Sequence, residues 1–137
     1  MVFYRGQLCP YCNRQLSQLQ DSVSFIRQKG ASLIAVSPET SENINKTVEK
    51  TKAAYPVLSD EGLKIMNSYH VTYTIDSATI NKYKQYGLDF NTLNGKNGEH
   101  LPVPAVYIID KNDIIIYVHF DPDYTKRASV KEILTYL

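Results

Sequence analysis

The 137-residue sequence predicts an α/β protein, a mixed central sheet with helices on both faces, on two observations, a strand–helix–strand unit near its start and a hairpin near its end. An apolar run, Val2-Phe3-Tyr4, leads into Leu8-Cys9-Pro10-Tyr11-Cys12. A helical repeat follows, with Leu16, Leu19, Val23 and Ile26 on one face and Gly30 as its stop. Leu33, Ile34 and Val36 then form a short apolar run of strand length. Strand, helix and strand in that order give two parallel strands with a right-handed crossover. Near the other end, Ala105 to Asp110 and Ile114 to Phe120 are two strong strand signals joined by Lys111-Asn112-Asp113, a tight hairpin that adds antiparallel strands.

The elements follow in order. Residues 2–5 predict the first strand and residues 11–29 the first helix. Ala31 to Val36 predicts a second strand, buried on both faces. Ser37-Pro38-Glu39-Thr40 is a loop, and Thr40 or Ser41 caps a second helix whose apolar stripe is Ile44 and Val48. Lys46, Lys50 and Lys52 fall on its solvated face. Tyr55-Pro56-Val57-Leu58 is a brief extended segment, placed at a sheet edge because its proline donates no ladder hydrogen bond. Ser59 or Asp60 caps a short helix to about Tyr69, packed by Leu63 and Met66. From His70 to Glu99 the pattern is weak. Ser77 to Tyr86 reads as a helix closed by Gly87, and Asn91 to His100, rich in Asn and Gly, as loop. With no separate core visible there, residues of about 70–100 read as an insertion in a single domain spanning 1–137. A last helix from about Ser129 to Leu137 turns Val130, Ile133, Leu134 and Leu137 inward.

Composition excludes several classes of function. Net charge is +1, from 15 Lys and Arg against 14 Asp and Glu. No basic run suits nucleic acid and no apolar run is long enough to span a bilayer. The first residues lack the basic and apolar regions of a signal peptide. Asn45-Lys46-Thr47 fits the glycosylation sequon, but nothing else suggests secretion. Both cysteines of the chain lie in one motif, which is unlike a disulfide scaffold. The expected location is the cytoplasm.

The cysteine pair carries the chemistry. It lies where a strand ends and a helix begins, so unpaired backbone N–H groups and the positive end of the helix dipole favour an anion there. Thiols of C-x-x-C motifs at helix N-termini titrate at roughly 3.5–7.5 in place of about 8.5. Cys9, the outer member, is the expected nucleophile, and Cys12, one turn on, the resolving thiol. Three other readings stand beside this one. A zinc site needs further ligands, and His70, His100 and His119 are scattered. A purely structural disulfide closes so small a loop that it constrains the unfolded chain little. Two unrelated buried thiols have no reason for this spacing. Neither a metal nor a cofactor is expected.

Element order and C-x-x-C position match the thioredoxin-like pattern. In that fold a cis-proline precedes the strand that begins here at Ala105 and packs against the dithiol; Pro104 of Leu101-Pro102-Val103-Pro104 stands there. More closely, Phe3-Tyr4-Arg5-Gly6-Gln7-Leu8-Cys9-Pro10-Tyr11-Cys12-Asn13 resembles the F-Y-R-G-x-W-C-P-Y-C-N stretch of peroxiredoxin-like proteins of the alkyl hydroperoxide reductase/thiol-specific antioxidant (AhpC/TSA) family. Leu101-Pro102-Val103-Pro104-Ala105 and Asp121-Pro122-Asp123-Tyr124-Thr125-Lys126-Arg127 resemble that group too. The resemblance covers nearly the whole chain. Because such proteins carry a further segment before the first strand, it implies a truncated or minimal version.

The departures bear on chemistry. The peroxidatic motif of true peroxiredoxins is P-x-x-x-[ST]-x-x-C; Gly6 stands at the Ser/Thr position and Val2 at the proline. Their second active-site arginine precedes the strand that starts at Ala105, and Pro104 occupies that place. The Thr and Arg hold the peroxide, so Arg5 or Tyr4 are the expected substitutes, Arg5 also as a cation that lowers the Cys9 pKa. Three functions follow. In a thiol peroxidase, Cys9 becomes a sulfenic acid, condenses with Cys12, and a thioredoxin-like dithiol restores the pair. In a protein disulfide oxidoreductase, Cys9 attacks a disulfide, Cys12 releases the product, and Pro104 borders the substrate groove. In a binding module the dithiol is vestigial.

Overall fold

The computed structural model describes residues 1–137. Seven strands, β1 (Val2–Phe3), β2 (Ala35–Ser37), β3 (Val57–Ser59), β4 (Thr72–Thr74), β5 (His100–Pro102), β6 (Ala105–Ile109) and β7 (Ile115–Phe120), alternate with seven helices. These are α1 (Pro10–Asp21), α2 (Val23–Gln28), α3 (Ser41–Thr51), α4 (Lys64–Ser68), α5 (Ser77–Gln85), α6 (Phe90–Asn94) and α7 (Val130–Thr135). Five strands form one mixed sheet in the order β3-β2-β1-β6-β7. β1 is parallel to β2 and antiparallel to β6, β2 is parallel to β3, and β3 lies at the edge, where Pro56 forfeits no ladder bond.

Side-chain alternation along the strands assigns the two faces of the sheet. Val2, Tyr4, Ala35, Val106 and Ile108 pack with Cys12, Leu16 and Leu19 of α1, Ile26 of α2, Ile44 of α3 and Ile133 of α7. Phe3, Val36, Ala105 and Tyr107 point the other way, onto Leu63, Met66 and Val71. Leu16 and Leu19 are wholly buried, worth roughly 1.5–3 kcal/mol each in transfer from water.

Several elements depart from expectation. The helix of residues 11–29 is two helices that meet at Ser22, where the Ser22 N–H bonds to the Leu19 carbonyl and tightens the turn. β2 starts at Ala35, not Ala31, because β1 is only two residues long and its partners are Ala35 and Val36. Thr40 caps α3 as expected, its hydroxyl accepting from the Asn43 N–H. The capping acid of α4 acts from a distance: the Asp60 carboxylate accepts from Ile65 N–H (3.0 Å) and Met66 N–H (2.8 Å). Lys50 is tied down, its Nζ donating to the Gln7 carbonyl (3.0 Å) and Oε1 (2.6 Å).

Residues of about 70–100 hold more structure than their pattern shows. β4 and β5 pair antiparallel as a second sheet, α5 is capped by Asp76, and Asn91–His100 contains the end of α6, a 3₁₀ turn at Gly95–Asn97 and the first residue of β5. Ile75, Ile80, Phe90 and Leu101 form a small core of their own. These residues are far apart in the chain and meet only when β4 and β5 pair.

Candidate active site

β1 and β2 run side by side, so the loops at their carboxyl ends, Tyr4 to Leu8 and Pro38 to Thr40, converge. Cys9 is the N-cap of α1, and Pro10, with no N–H to satisfy, opens the helix. The Cys9 Sγ accepts from the Cys12 N–H at 3.3 Å, the bond that a capping oxygen would make. Cys12 is fully buried and Cys9 partly exposed. Their sulfurs are joined as a disulfide, with Cα atoms 5.3 Å apart. The Arg5 N–H reaches the Cys12 Sγ at 3.5 Å.

A second arginine reaches the dithiol from the far end of the chain. Arg127 Nη2 lies 3.2 Å from the Cys12 Sγ and 3.8 Å from the Cys9 Sγ. It is held there by Nη1 donating to Gln15 Oε1 (2.9 Å) and Nε to the Tyr124 carbonyl (2.8 Å). Burial, and then Arg5, lower its pKa to about 10, so it stays charged at neutral pH. One guanidinium thus faces both sulfurs, and the charge-assisted bond favours their thiolate forms.

Cys9 opens on a cavity of about 250 Å³. It is lined by Arg5, Gly6, Leu8, Cys9, Pro10, Tyr11, Glu39 and Tyr124 and, from residues 83–101, by Tyr83, Leu88, Phe90, Leu93 and Leu101. Arg5 lies 4.4 Å from the Tyr124 ring centroid and donates to the Tyr83 hydroxyl at 3.5 Å. Glu39 is buried, its Oε2 accepting from the Gln7 N–H at 2.9 Å. Burial raises its pKa to about 7 against the opposing pull of that bond, Lys50 and Lys46.

Of the sequence-expected residues, Cys9, Cys12 and Arg5 meet. Tyr4 does not join them: it is wholly buried among the core residues beside α3, does not line the cavity, and its hydroxyl has no hydrogen-bond partner. Burial pushes its pKa up. The cis expectation for Pro104 is corrected, for the chain contains no cis peptide bond. Pro104 is buried in the approach to β6 and does not line the cavity, whose wall at that end is Leu101. Glu39 and Arg127 escaped sequence reasoning. The one signal for Arg127 is its place in the Asp121–Arg127 stretch, and for Glu39 its place just after a parallel strand, where ligand sites of α/β sheets gather.

A model of the AhpC/TSA family matches residues 1–118. The chain belongs to the AhpC/TSA family. Among its AhpC/TSA relatives, the chloroplastic peroxiredoxin Q of Sedum lineare is 26% identical over 90% of this chain and 56% of its own length. That of Arabidopsis thaliana is 23% identical over 100% of this chain and 53% of its own. The thiol-disulfide oxidoreductase ResA of Halalkalibacterium halodurans is 23% identical over 57% of this chain and 45% of its own length. The chain therefore spans about half the length of the curated relatives it matches. A peroxiredoxin 6 variant of Arenicola marina superposes with a TM-score of 0.72 at 17% identity, covering 97% of this chain and 57% of that one. The bacterioferritin comigratory protein of Xanthomonas campestris gives 0.71 at 12% identity, covering 98% and 74%. These likenesses establish the thioredoxin-like fold.

Proposed function

We propose that this AhpC/TSA chain is a dithiol peroxidase in which Cys9 is the nucleophile and Cys12 resolves its sulfenic acid. The observation that carries the reading is the single Arg127 guanidinium set against both sulfurs, beside a cavity on which Cys9 opens and into which Arg5 brings a second positive charge. The Cys9 thiolate attacks the terminal oxygen of a hydroperoxide; the S–O bond forms, the O–O bond breaks, and the leaving oxygen takes up a proton. Cys12 then displaces water from the Cys9 sulfenic acid to give the disulfide. A thioredoxin-type dithiol returns both thiols by exchange, itself becoming the disulfide. Peroxide and that dithiol are the proposed partners.

A second reading is thiol–disulfide exchange with protein substrates, favoured by the C-P-Y-C spacing and by the likeness to ResA. In that case Cys9 forms a mixed disulfide that Cys12 releases. One measurement separates the two. The reduced protein is mixed with one equivalent of hydrogen peroxide and thiol loss is followed over seconds to minutes. Loss much faster than that of a free thiol of pKa about 8.5, ending in the Cys9–Cys12 disulfide, is the result expected. Loss no faster than that thiol, with rapid reduction of a protein disulfide, would select exchange.

A further inference from the structure

Gly6 leaves the cavity without the Ser or Thr hydroxyl that the peroxiredoxin motif supplies at that position. The volume is nonetheless filled. A side-chain carbon at Gly6 would overlap Glu39 Oε1 and fall 2.6 Å from Glu39 Cδ, so the Glu39 carboxyl occupies the space that a position-6 side chain would start into. Glu39 is 2% exposed and is the only carboxylate lining the cavity shared with Cys9. Its Oε2 is engaged by the Gln7 N–H, while Oε1 takes no hydrogen bond from the protein.

We propose that Glu39 is the general acid of the peroxide step, donating its proton to the leaving oxygen as Cys9 cleaves the O–O bond. The inference rests on the peroxidase reading above. The balance is simple. The Cys9 thiolate gains an S–OH bond and is oxidised by two electrons. The O–O pair goes to the leaving oxygen. The Glu39 O–H proton goes to that oxygen, which departs as alcohol or water, and the Glu39 carboxylate is reprotonated from solvent through the cavity. A buried carboxyl that titrates near 7 is still substantially acid at neutral pH, the condition under which general acids work best. The charged and titratable groups around it are Lys46 and Lys50 of α3, Tyr4 beyond β1, and, lining the cavity, Arg5, Cys9, Tyr11, Tyr83 and Tyr124. The two lysines hold the carboxylate form within reach, and burial restores the acid.

The test uses the full chain, reduced, in single-turnover mixing with hydrogen peroxide and, in parallel, with iodoacetamide. Iodide leaves without a proton, so alkylation reads the Cys9 thiolate alone. Glu39→Gln is expected to slow the peroxide reaction by on the order of 100-fold, the lower range for a lost general acid, with alkylation changed by no more than about two-fold. In the unaltered protein, the ratio of peroxide rate to alkylation rate is expected to fall as pH rises through about 7 and to be flat in Glu39→Gln. A variant that keeps the peroxide rate overturns the assignment and leaves the peroxidase reading standing. Equal losses in both reactions also overturn it, making Glu39 a support of the Cys9 loop. An unaltered protein no faster with peroxide than a free thiol overturns the peroxidase reading itself. If Glu39→Gln does not fold, the pH dependence of the ratio decides alone: a flat ratio overturns the assignment.

Discussion

Cys9 and Cys12 are three positions apart, yet their surroundings differ. Cys9 caps α1 and touches the cavity; Cys12 is sealed against the sheet. Cys9→Ser is therefore expected to abolish turnover. Cys12→Ser is expected to retain one turnover and leave a sulfenic acid on Cys9, trapped as a dimedone adduct and read by mass spectrometry. Full turnover in Cys9→Ser would reverse the roles. Arg127 contacts both sulfurs. Its removal in Arg127→Ala is expected to raise the Cys9 thiol pKa, through loss of a neighbouring opposite charge. The pH profile of iodoacetamide alkylation measures this. Arg127→Lys is expected to recover only part of the shift, since an ammonium cannot reach Gln15, Tyr124 and both sulfurs with one planar fork.

Elements position the site more than they compose it. α1 begins at Pro10 because Cys9 caps it, so the helix cap and the proposed nucleophile are one residue. α4, only five residues long, depends on the Asp60 carboxylate for its first donors. Asp60→Ala leaves those two N–H groups without their acceptor, and is expected to cost about 2 kcal/mol of stability, in the range of lost caps and charge-assisted bonds. Denaturant unfolding measures it. α5, α6 and β5 supply the far wall of the cavity, held by the cluster around Phe90. Phe90→Ala is expected to cost about 3 kcal/mol, the low end for a buried Phe because the cluster is small and can partly collapse. Hydrogen exchange of residues 72–101 is expected to rise more than that of the main sheet.

At the scale of the molecule, a buried acid near the site couples folding to pH. Glu39 titrates near 4.5 when unfolded and near 7 when folded. A raised carboxylate pKa means that the folded state binds the proton more tightly, so stability is full below about pH 4.5 and falls as pH rises through about 7. The loss is about 3 kcal/mol from the two pKa values. Glu39→Gln removes this titration and keeps an acceptor for the Gln7 N–H. It is expected to be more stable than the unaltered chain at pH 8 and about equal to it at pH 4.5, as measured by urea unfolding at the two pH values. Equal stability at pH 8 would mean that the carboxyl is solvated in the folded protein. The conflict is instructive: the group proposed to speed the peroxide step is one that weakens the fold where it is ionised.

The sequence by itself determined the α/β class, the strand–helix–strand unit with the dithiol at its turn, the β6–β7 hairpin, the start of α3 at Thr40 or Ser41, the last helix from about Ser129 and the Gly87 stop. Each is a local matter of periodicity, capping or turn chemistry, readable within a few residues. Tertiary structure decided the rest. The short β4 and β5 exist through pairing with each other across 26 or more residues, and the break at Ser22 and the late start of β2 follow from what lies beside them. Tyr4 is an expected substitute for the missing Thr and Arg, but alternation along the strand sends it into the core while the backbone of Arg5 turns to the sulfurs. Arg127 lies 115 residues from Cys12 and Glu39 32 residues from Gln7. Nothing local marks either one, because a charge acquires its chemistry from the burial and the partners that only the folded chain brings to it.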